Sequence, residues 1–487
     1  MARGGSTDSI GFMEGREASF LRARLEDLIG PERVLAEPAI LIHGSRAPLE
    51  VRPADERQVA DVLRLAADEG LGVCIAGGGT KLGWGGRPVR FDLLLSTHDL
   101  RSVCEVDADD LTVAVSAGVP VAEAEAQARE AGRILPLDGG RPENATIGGV
   151  VATGDQGARG AGYGAVRDLV LGVKATLADG SSVRFGGRTM KNVAGYDMTK
   201  LFVGSFGILG VVTEVNFRLL PRFDSQALLL LPLRSLAEGQ QISAQILASH
   251  LQPLALEAVS PALMQAMALA EPEPPTEGPE FLLSFRESAD EDGVHLLAAF
   301  AGHRAAVERS VREVRGCRAV RQMDVLWDGE ASSALDTLRR YTATTHDGTG
   351  GLVVKARGSV PIASAWKVAE AARHLTMEAE LILAYRINAA RGLLDLWAGV
   401  GGGPEGAKSP ATAPTAASNE LTDWAAGVRQ ACSAAGGQLS ITDGLAHLRP
   451  SLEAWDEVGS CIGLVKGIKE RFDRHLVLNP GRFLGGI

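Results

Sequence analysis

Apolar residues first recur at three- and four-residue steps in residues 16–48, where Phe20, Leu21, Leu25 and Leu28 would share one side of a helix stopped by Gly30-Pro31. Residues 1–15 ahead of it read as a polar tail. A second helix is predicted from Pro53, with acids in its first turn and Val59, Val62, Leu63 and Ala66 along one face; Gly70 would end it. Gly72 to Ala76 reads as a short buried strand. Further strands are expected at Leu111 to Ser116, Val170 to Leu177, Ser182 to Phe185 and Leu209 to Leu220, with a helix over Pro120 to Ala131. Asp179-Gly180 between two of those strands is a hairpin turn signal. Past Pro221 the pattern mixes strands (Ala227 to Leu231, Phe281 to Phe285, Leu381 to Tyr385) with amphipathic helices over Ala301 to Val314 and Ser364 to Thr376. Residues 401–419, rich in Gly, Pro, Ala, Ser and Thr, read as a flexible surface insertion within that second unit.

Composition alters this picture at one point. Glycine accounts for 59 of 487 residues, well above the usual ~7%, and it clusters. The net charge of −11, with no basic run, argues against a nucleic-acid binder. The five cysteines are widely spaced and form no C-x-x-C, so zinc or iron–sulfur ligation within this chain is unsupported and a reduced, cytoplasmic compartment fits. The N-terminus lacks the apolar core of a signal peptide, and the longest apolar runs fall far short of the ~18 residues that span a bilayer. Membrane contact would then be peripheral, at the inner membrane, through partners.

The glycines fall into three groups, each beside an expected strand: residues 77–86, residues 136–164 and residues 204–210. The first fails both common nucleotide motifs. A Walker loop needs Gly before Lys and Ser or Thr after it, whereas Thr80 and Leu82 flank Lys81. A Rossmann turn needs G-x-G-x-x-G opening a helix, but Gly83 comes one residue late and is followed by a helix-breaking stretch. Backbone amides in such a loop can still form an anion-binding nest. One cluster alone is most simply a tight turn; three of them suggest close approach of backbone to a ligand.

The stretches GGGTKLGWGG (77–86), LDGGRPENATIGGVVATG (137–154), GYGAVRDLVLGVKATLADG (162–180), RFGGRTMKNVAGYDMTKLFVGSFGILGVVTEV (184–215) and FDRHLVLNPGRF (472–483) resemble, in order and spacing, the FAD-binding family of vanillyl-alcohol oxidase and p-cresol methylhydroxylase. Within it the chain is similar to the E subunits of bacterial glycolate oxidase. The resemblance covers roughly residues 50–222 and the C-terminal tail. It implies an α+β protein: an N-terminal tail and helix (1–48), a two-part PCMH-type FAD-binding domain (49–222) and an α+β cap domain (223–487). It implies that Gly77, Gly78, Gly79, Thr80 and Lys81 contact the FAD pyrophosphate, with Gly83 giving close approach. Asp138, Gly139, Thr146, Ile147, Gly148, Gly149, Gly154, Gly157 and Arg159 would follow the ribityl chain and flavin edge. Asp168, Val170, Ile208, Val211 and Val212 would line the adenine side. Covalent members carry a His in the first loop or a Cys near the second, and this chain has neither there, so non-covalent FAD is expected.

Catalytic relatives carry H-x-G-D-G-N-x-H in the cap, which this chain lacks; His346 and His447 are isolated, and Phe206 stands where GSEGTLG has Glu. No catalytic residue is assigned and no metal is expected. Tyr196 and Asp197 could line the flavin or pack the domain halves, the latter being favoured; Arg141, Arg159, Arg357 and Tyr385 could reach a carboxylate. The resemblance thus implies an FAD-binding subunit that works with a catalytic flavin subunit and an iron–sulfur subunit to oxidise a small 2-hydroxy acid, glycolate, to glyoxylate. A stand-alone 2-hydroxy-acid dehydrogenase and a non-catalytic scaffold remain open.

Overall fold

The structure, a computed structural model, describes residues 15–36, 38–189, 196–269, 293–341, 353–400 and 415–487. Helix α1 (Gly15–Ile29) opens it, burying Leu21, Leu25 and Ile29 while Phe20 and Leu28 face outward. The apolar stripe is therefore narrower than the sequence suggests. A four-stranded sheet follows, in the order β1 (Val34–Ala36), β2 (Leu49–Val51), β4 (Leu93–Ser96), β3 (Val73–Ala76). Helix α2 (Glu56–Asp68) starts where the Asp55 carboxylate accepts the Gln58 N–H. Its buried face of Val59, Val62, Leu63 and Ala66 packs with α1 on this sheet; full burial stabilises by about 1.5–3 kcal/mol per large aliphatic side chain.

The second half of this unit is an antiparallel five-stranded sheet, ordered β5 (Cys104–Asp107), β6 (Thr112–Ser116), β10 (Val211–Arg218), β8 (Val170–Thr176), β9 (Ser182–Gly186). A two-residue ribbon pairs β7 (Arg133–Ile134) with β11 (Leu220–Pro221), so the expected strand from Leu209 is divided between two sheets. Helices α3 (Val121–Glu130) and α4 (Ile147–Thr153) cover the five-stranded sheet, with Val121, Ala124, Ile147 and Val151 against Val113, Val115 and Val215.

The cap is built on one eight-stranded sheet: β15 (Asp324–Trp327), β12 (Ser225–Leu233), β14 (Val294–Gly302), β13 (Ala255–Val259), β17 (Ile382–Asn388), β18 (Leu393–Gly399), β16 (Val353–Ser359), β19 (Gln438–Asp443). Neighbours pair antiparallel throughout. One face is apolar and covered by α5 (Leu236–Ala248), α7 (Arg304–Arg315), α9 (Ala365–Glu378) and α10 (Thr415–Ala434). The other carries α6 (Pro261–Leu269) and α8 (Asp328–Tyr341) and turns toward the first unit. Ala301 and Gly302 end β14, and the helix expected from Ala301 begins only at Arg304. The expected strand at 281–285 and residues 401–414 of the insertion lie outside the described residues; residues 415–419 are the first turn of α10. After α11 (Ile462–Phe472) the tail leaves the cap and returns to the first unit, where Val73 N–H donates to Val477 O and Asn479 N–H to Val73 O.

Candidate functional site

Strand β3 ends at Ala76 and the chain enters the first glycine loop. Gly77 and Gly78 are pressed onto residues 144–146: a Cβ on Gly78 would lie 1.6 Å from the Asn144 carbonyl oxygen, and one on Gly77 would lie 2.1 Å from Thr146 Oγ1. Gly79 adopts φ +75°, open to glycine at no steric cost. The N–H groups of Gly77, Gly78, Gly79, Thr80 and Lys81 find no hydrogen-bond acceptor among the described residues, whereas Trp84 and Gly86 just beyond donate to Lys81 O and Arg482 O. Five adjacent donors left open in a glycine-rich loop form a nest for an anion. They border a cavity of about 70 Å³ closed by Thr146, Gly149, Phe206 and Asn479. Gly83 is different: a Cβ there would lie 2.6 Å from the Asp443 carboxylate, so its bareness admits the cap.

The second loop is held by its own side chains. Asp138 accepts from Arg159 N–H and Nη1, both at 2.8 Å, and its N–H donates to Gln156 Oε1. Gly157 has no room for a side chain, since a Cβ would lie 2.4 Å from Asp138 O. The Gly139 carbonyl accepts from Arg339 Nε at 2.8 Å. Thr146 caps α4, whose first amides are all used within the protein: Ile147 on Val119 O, Gly148 on Ala117 O and Gly149 on Thr146 Oγ1. Ile147 is buried core, Gly148 packs its bare face on Ala117, and Gly154 is the left-handed cap of α4. Arg159 also binds Asp336 of α8 at 2.7 Å, which commits its guanidinium on both sides.

The third group separates from these. The side chains of Val170, Ile208 and Val212 are buried in the core of the five-stranded sheet and Val211 in that of the four-stranded sheet, both within the first unit, and the Asp168 carboxylate is on the surface near Arg167. None of the five borders the cavities beside the first loop. Residues 190–195 lie outside the described residues, Tyr196 is 94% exposed, and Asp197 bonds Thr199 and Lys200.

The C-terminal tail completes the first loop. Arg482 Nη1 donates to Gly86 O at 2.9 Å, and Nη2 donates to Leu82 O and Trp84 O at 2.8 and 2.6 Å. Asn479 accepts from Ile75 N–H at 2.9 Å and donates to Phe206 O at 2.6 Å, tying the first and third glycine loops together. Buried Lys469 adds Ile208 O, Leu478 O and the Asp473 carboxylate.

Facing these loops is a charged stripe on the inner face of the cap sheet. In antiparallel register Asp395 stands opposite both Arg386 and Arg357. Arg357 is bidentate to Asp395 (2.7 and 3.1 Å), reaches Asp155 at 3.1 Å and stacks on Trp84, 4.7 Å from the ring centre. Arg386 bonds Asp395 and lies 3.7 Å from Glu257, while Lys355 lies over Trp397 at 4.9 Å. Lys81 meets Asp155 at 3.4 Å. Burial works against ionisation of Asp395 and Asp155, but the cations overcome it. Arg357, Arg386 and Lys355 hold Asp395 well below the carboxylate range, and Lys81 with Arg357 hold Asp155 at about 2. Burial pulls Lys355 down to about 8, Asp395 opposing, and pushes Glu257 up to about 8 despite Arg386. A small cavity between stripe and loops is thus lined by four basic side chains, Lys81, Lys355, Arg357 and Arg386, together with Asp138 and Asp155.

Sequence reasoning picked out Arg357 and missed Lys355, Arg386, Asp395 and Glu257, whose only signal was their place in strands otherwise rich in apolar residues. Tyr385 points to the opposite, helix-covered face; Arg141 is exposed at φ +56°. His346 lies outside the described residues; His447 is half-buried, and burial lowers its pKa. Among the described residues no group of three or more His, Cys, Asp or Glu could hold a metal, and no helix is long and apolar enough to cross a membrane.

Residues 47–186 match the FAD binding domain model, and residues 223–483 match the C-terminal domain model of the FAD linked oxidases. A D-lactate dehydrogenase of Archaeoglobus fulgidus is 35% identical over 207 residues, 42% of this chain and 46% of that protein. Glycolate oxidase subunit GlcE of Escherichia coli is 40% identical over 171 residues (35% and 47%), and glycolate oxidase subunit GlcD of Bacillus subtilis 32% over 207 (42% and 44%). The matched stretches span about half the length of these curated relatives. Among solved structures, 4-ethylphenol oxidase from Gulosibacter chungangensis superposes with a TM-score of 0.72 at 15% identity, covering 96% of this chain and 97% of that one. p-Cresol methylhydroxylase gives 0.69 at 16%, with the same coverage. The fold is α+β of the PCMH type.

Proposed function

The chain belongs to the FAD-linked oxidases, and from that premise we propose that it is the FAD-binding subunit of a glycolate oxidase complex, acting with a catalytic flavin subunit and an iron–sulfur subunit. Its cofactor is FAD. The observation that carries the reading is the row of five open amides at Gly77 to Lys81, walled by glycines that have no space for a side chain. These residues fit a pyrophosphate: the amides would take its oxygens, and Thr146, Gly149 and Phe206 border the same cavity. FAD would supply a two-electron acceptor for the oxidation of glycolate to glyoxylate, which releases two electrons and two protons. The absence of an H-x-G-D-G-N-x-H string and the likeness to subunit GlcE support dependence on partners. The flavin is proposed to be dissociable: residues 136–164 hold neither His nor Cys, and the His43 ring bonds Gly85 O.

The charged stripe of the cap favours a second reading, in which the chain oxidises a 2-hydroxy acid by itself. Arg386 or Arg357 would bind the substrate carboxylate, and Lys355, pulled down to about 8 by burial, would accept the hydroxyl proton at Nζ in the molecules where it is neutral. Co-purification from the native host with flavin and iron analysis, followed by glycolate assays of the isolated chain with a dye acceptor, separates the two. Dependence on partners predicts FAD but no turnover by the chain alone. Turnover by the isolated chain would overturn the subunit reading.

A further inference from the structure

Between the first unit and the cap lies a cavity of about 520 Å³, within the range of small-molecule sites. It shares no lining residue with the cavities beside the first glycine loop. Leu135, Leu137, Tyr163 and Phe223 give it an apolar floor. Four of the five acids in its wall are already matched: Glu125 by Arg339, Glu143 by Arg340, Asp336 by Arg159 and Asp328 by Arg304. The fifth, Asp224, stands 3.9 Å from His303. Three arginines are not matched. Arg129 and Arg222 make no hydrogen bond or ion pair with any described residue, and Arg133 spends Nε and Nη1 on the carbonyls of Ala108 and Gly132. Arg133 and Arg222 are brought together by the β7–β11 ribbon, in which Pro221 pairs with Arg133.

Three guanidiniums over an apolar floor suit a compact body bearing several anionic oxygens. The inner wall of the cavity is also the outer support of the second glycine loop. Arg159 grips both oxygens of Asp138, and Arg339 grips the Gly139 carbonyl.

We infer that this inter-domain cavity is a second ligand site, for a small molecule carrying two or more carboxylate or phosphate groups, and that its occupancy is felt at the FAD loops through Arg159 and Arg339. Any such coupling is reciprocal: the ligand changes FAD affinity by the factor by which FAD changes ligand affinity.

The probes are citrate, inorganic phosphate and acetate, titrated calorimetrically into the FAD-loaded full chain. Citrate should bind saturably and more weakly as salt is raised, and acetate should not bind. The double variant Arg129→Glu/Arg222→Glu should weaken citrate by about tenfold or more while flavin content and melting temperature stay unchanged. Saturating citrate should shift the FAD dissociation constant by about threefold or more. An absence of saturable citrate binding, or equal binding by the double variant, overturns the site. Citrate binding with no change in FAD affinity overturns the coupling. Flavin content is read separately, so a chain that carries no flavin speaks against the proposed function and leaves the citrate titration of the same chain to decide the cavity.

Discussion

Replacing Arg482 by methionine removes one guanidinium and three hydrogen bonds while nearly keeping the volume. The three bonds go to the carbonyls of Leu82, Trp84 and Gly86, at 2.8, 2.6 and 2.9 Å. Bonds from a charged donor contribute about 1.5–3 kcal/mol each, so together about 4.5–9 kcal/mol. Against this stands the cost of keeping a guanidinium from water, which pulls its pKa from 12.5 to about 10. At 1.36 kcal/mol per unit, that cost is about 3.4 kcal/mol. The net contribution is about 1–6 kcal/mol, and it falls on the loop that carries the open amides. If about 2 kcal/mol is lost from that loop, only a minor fraction of molecules holds it closed and FAD affinity drops about 30-fold. Arg482→Lys, with a single ammonium in place of the fork, should lose less. Urea unfolding followed by circular dichroism reads the stability, and flavin fluorescence titration reads the affinity. If Arg482→Met keeps its unfolding midpoint and binds FAD within twofold of the parent, the tail does not hold the loop.

Three further outcomes are expected. Gly78→Ala puts a Cβ 1.6 Å from a backbone oxygen, so the first and second loops must part, and equilibrium dialysis should show FAD binding weakened by about 30-fold or more. Glu257 has its pKa raised to about 8 from an ordinary 4.5; the native state therefore holds an extra proton between those values, and its contribution to stability is lost as pH rises through that window. Glu257→Gln removes this dependence, so its stability relative to the parent should grow from pH 4.5 to 8, by at most about 5 kcal/mol, in urea melts run as a pH series; parallel curves would refute the assignment. Acid precipitation of the yellow protein should leave flavin in the supernatant; colour retained in the pellet would show a covalent bond.

Much of the first unit was legible because its signals are local. The apolar face of α2 and the Asp179-Gly180 turn each lie within a dozen residues and form as expected, although α2 begins at Glu56, three residues after the expected Pro53, with Asp55 as its cap. The glycine loops were legible as close approaches, but not as to what they approach. Gly83 faces an Asp443 carboxylate 360 positions away, and Gly148 faces Ala117, neither of which spacing can reveal. The charged stripe was illegible for a related reason. Glu257, Lys355, Arg386 and Asp395 come from four strands, and only sheet order and register bring them together.

The tail that completes the first glycine loop also sets a clock. Asn479 lies 404 residues beyond its partner Ile75. At ordinary elongation rates, about 5–20 residues per second, strand β3 leaves the ribosome some 20–80 s before the segment that satisfies it. Through that interval the edge of the four-stranded sheet must be sheltered by other means, because an unpaired strand edge invites association. The proposed flavin site can therefore be finished only after the whole cap has been made, although its glycine loops all precede the cap in the chain.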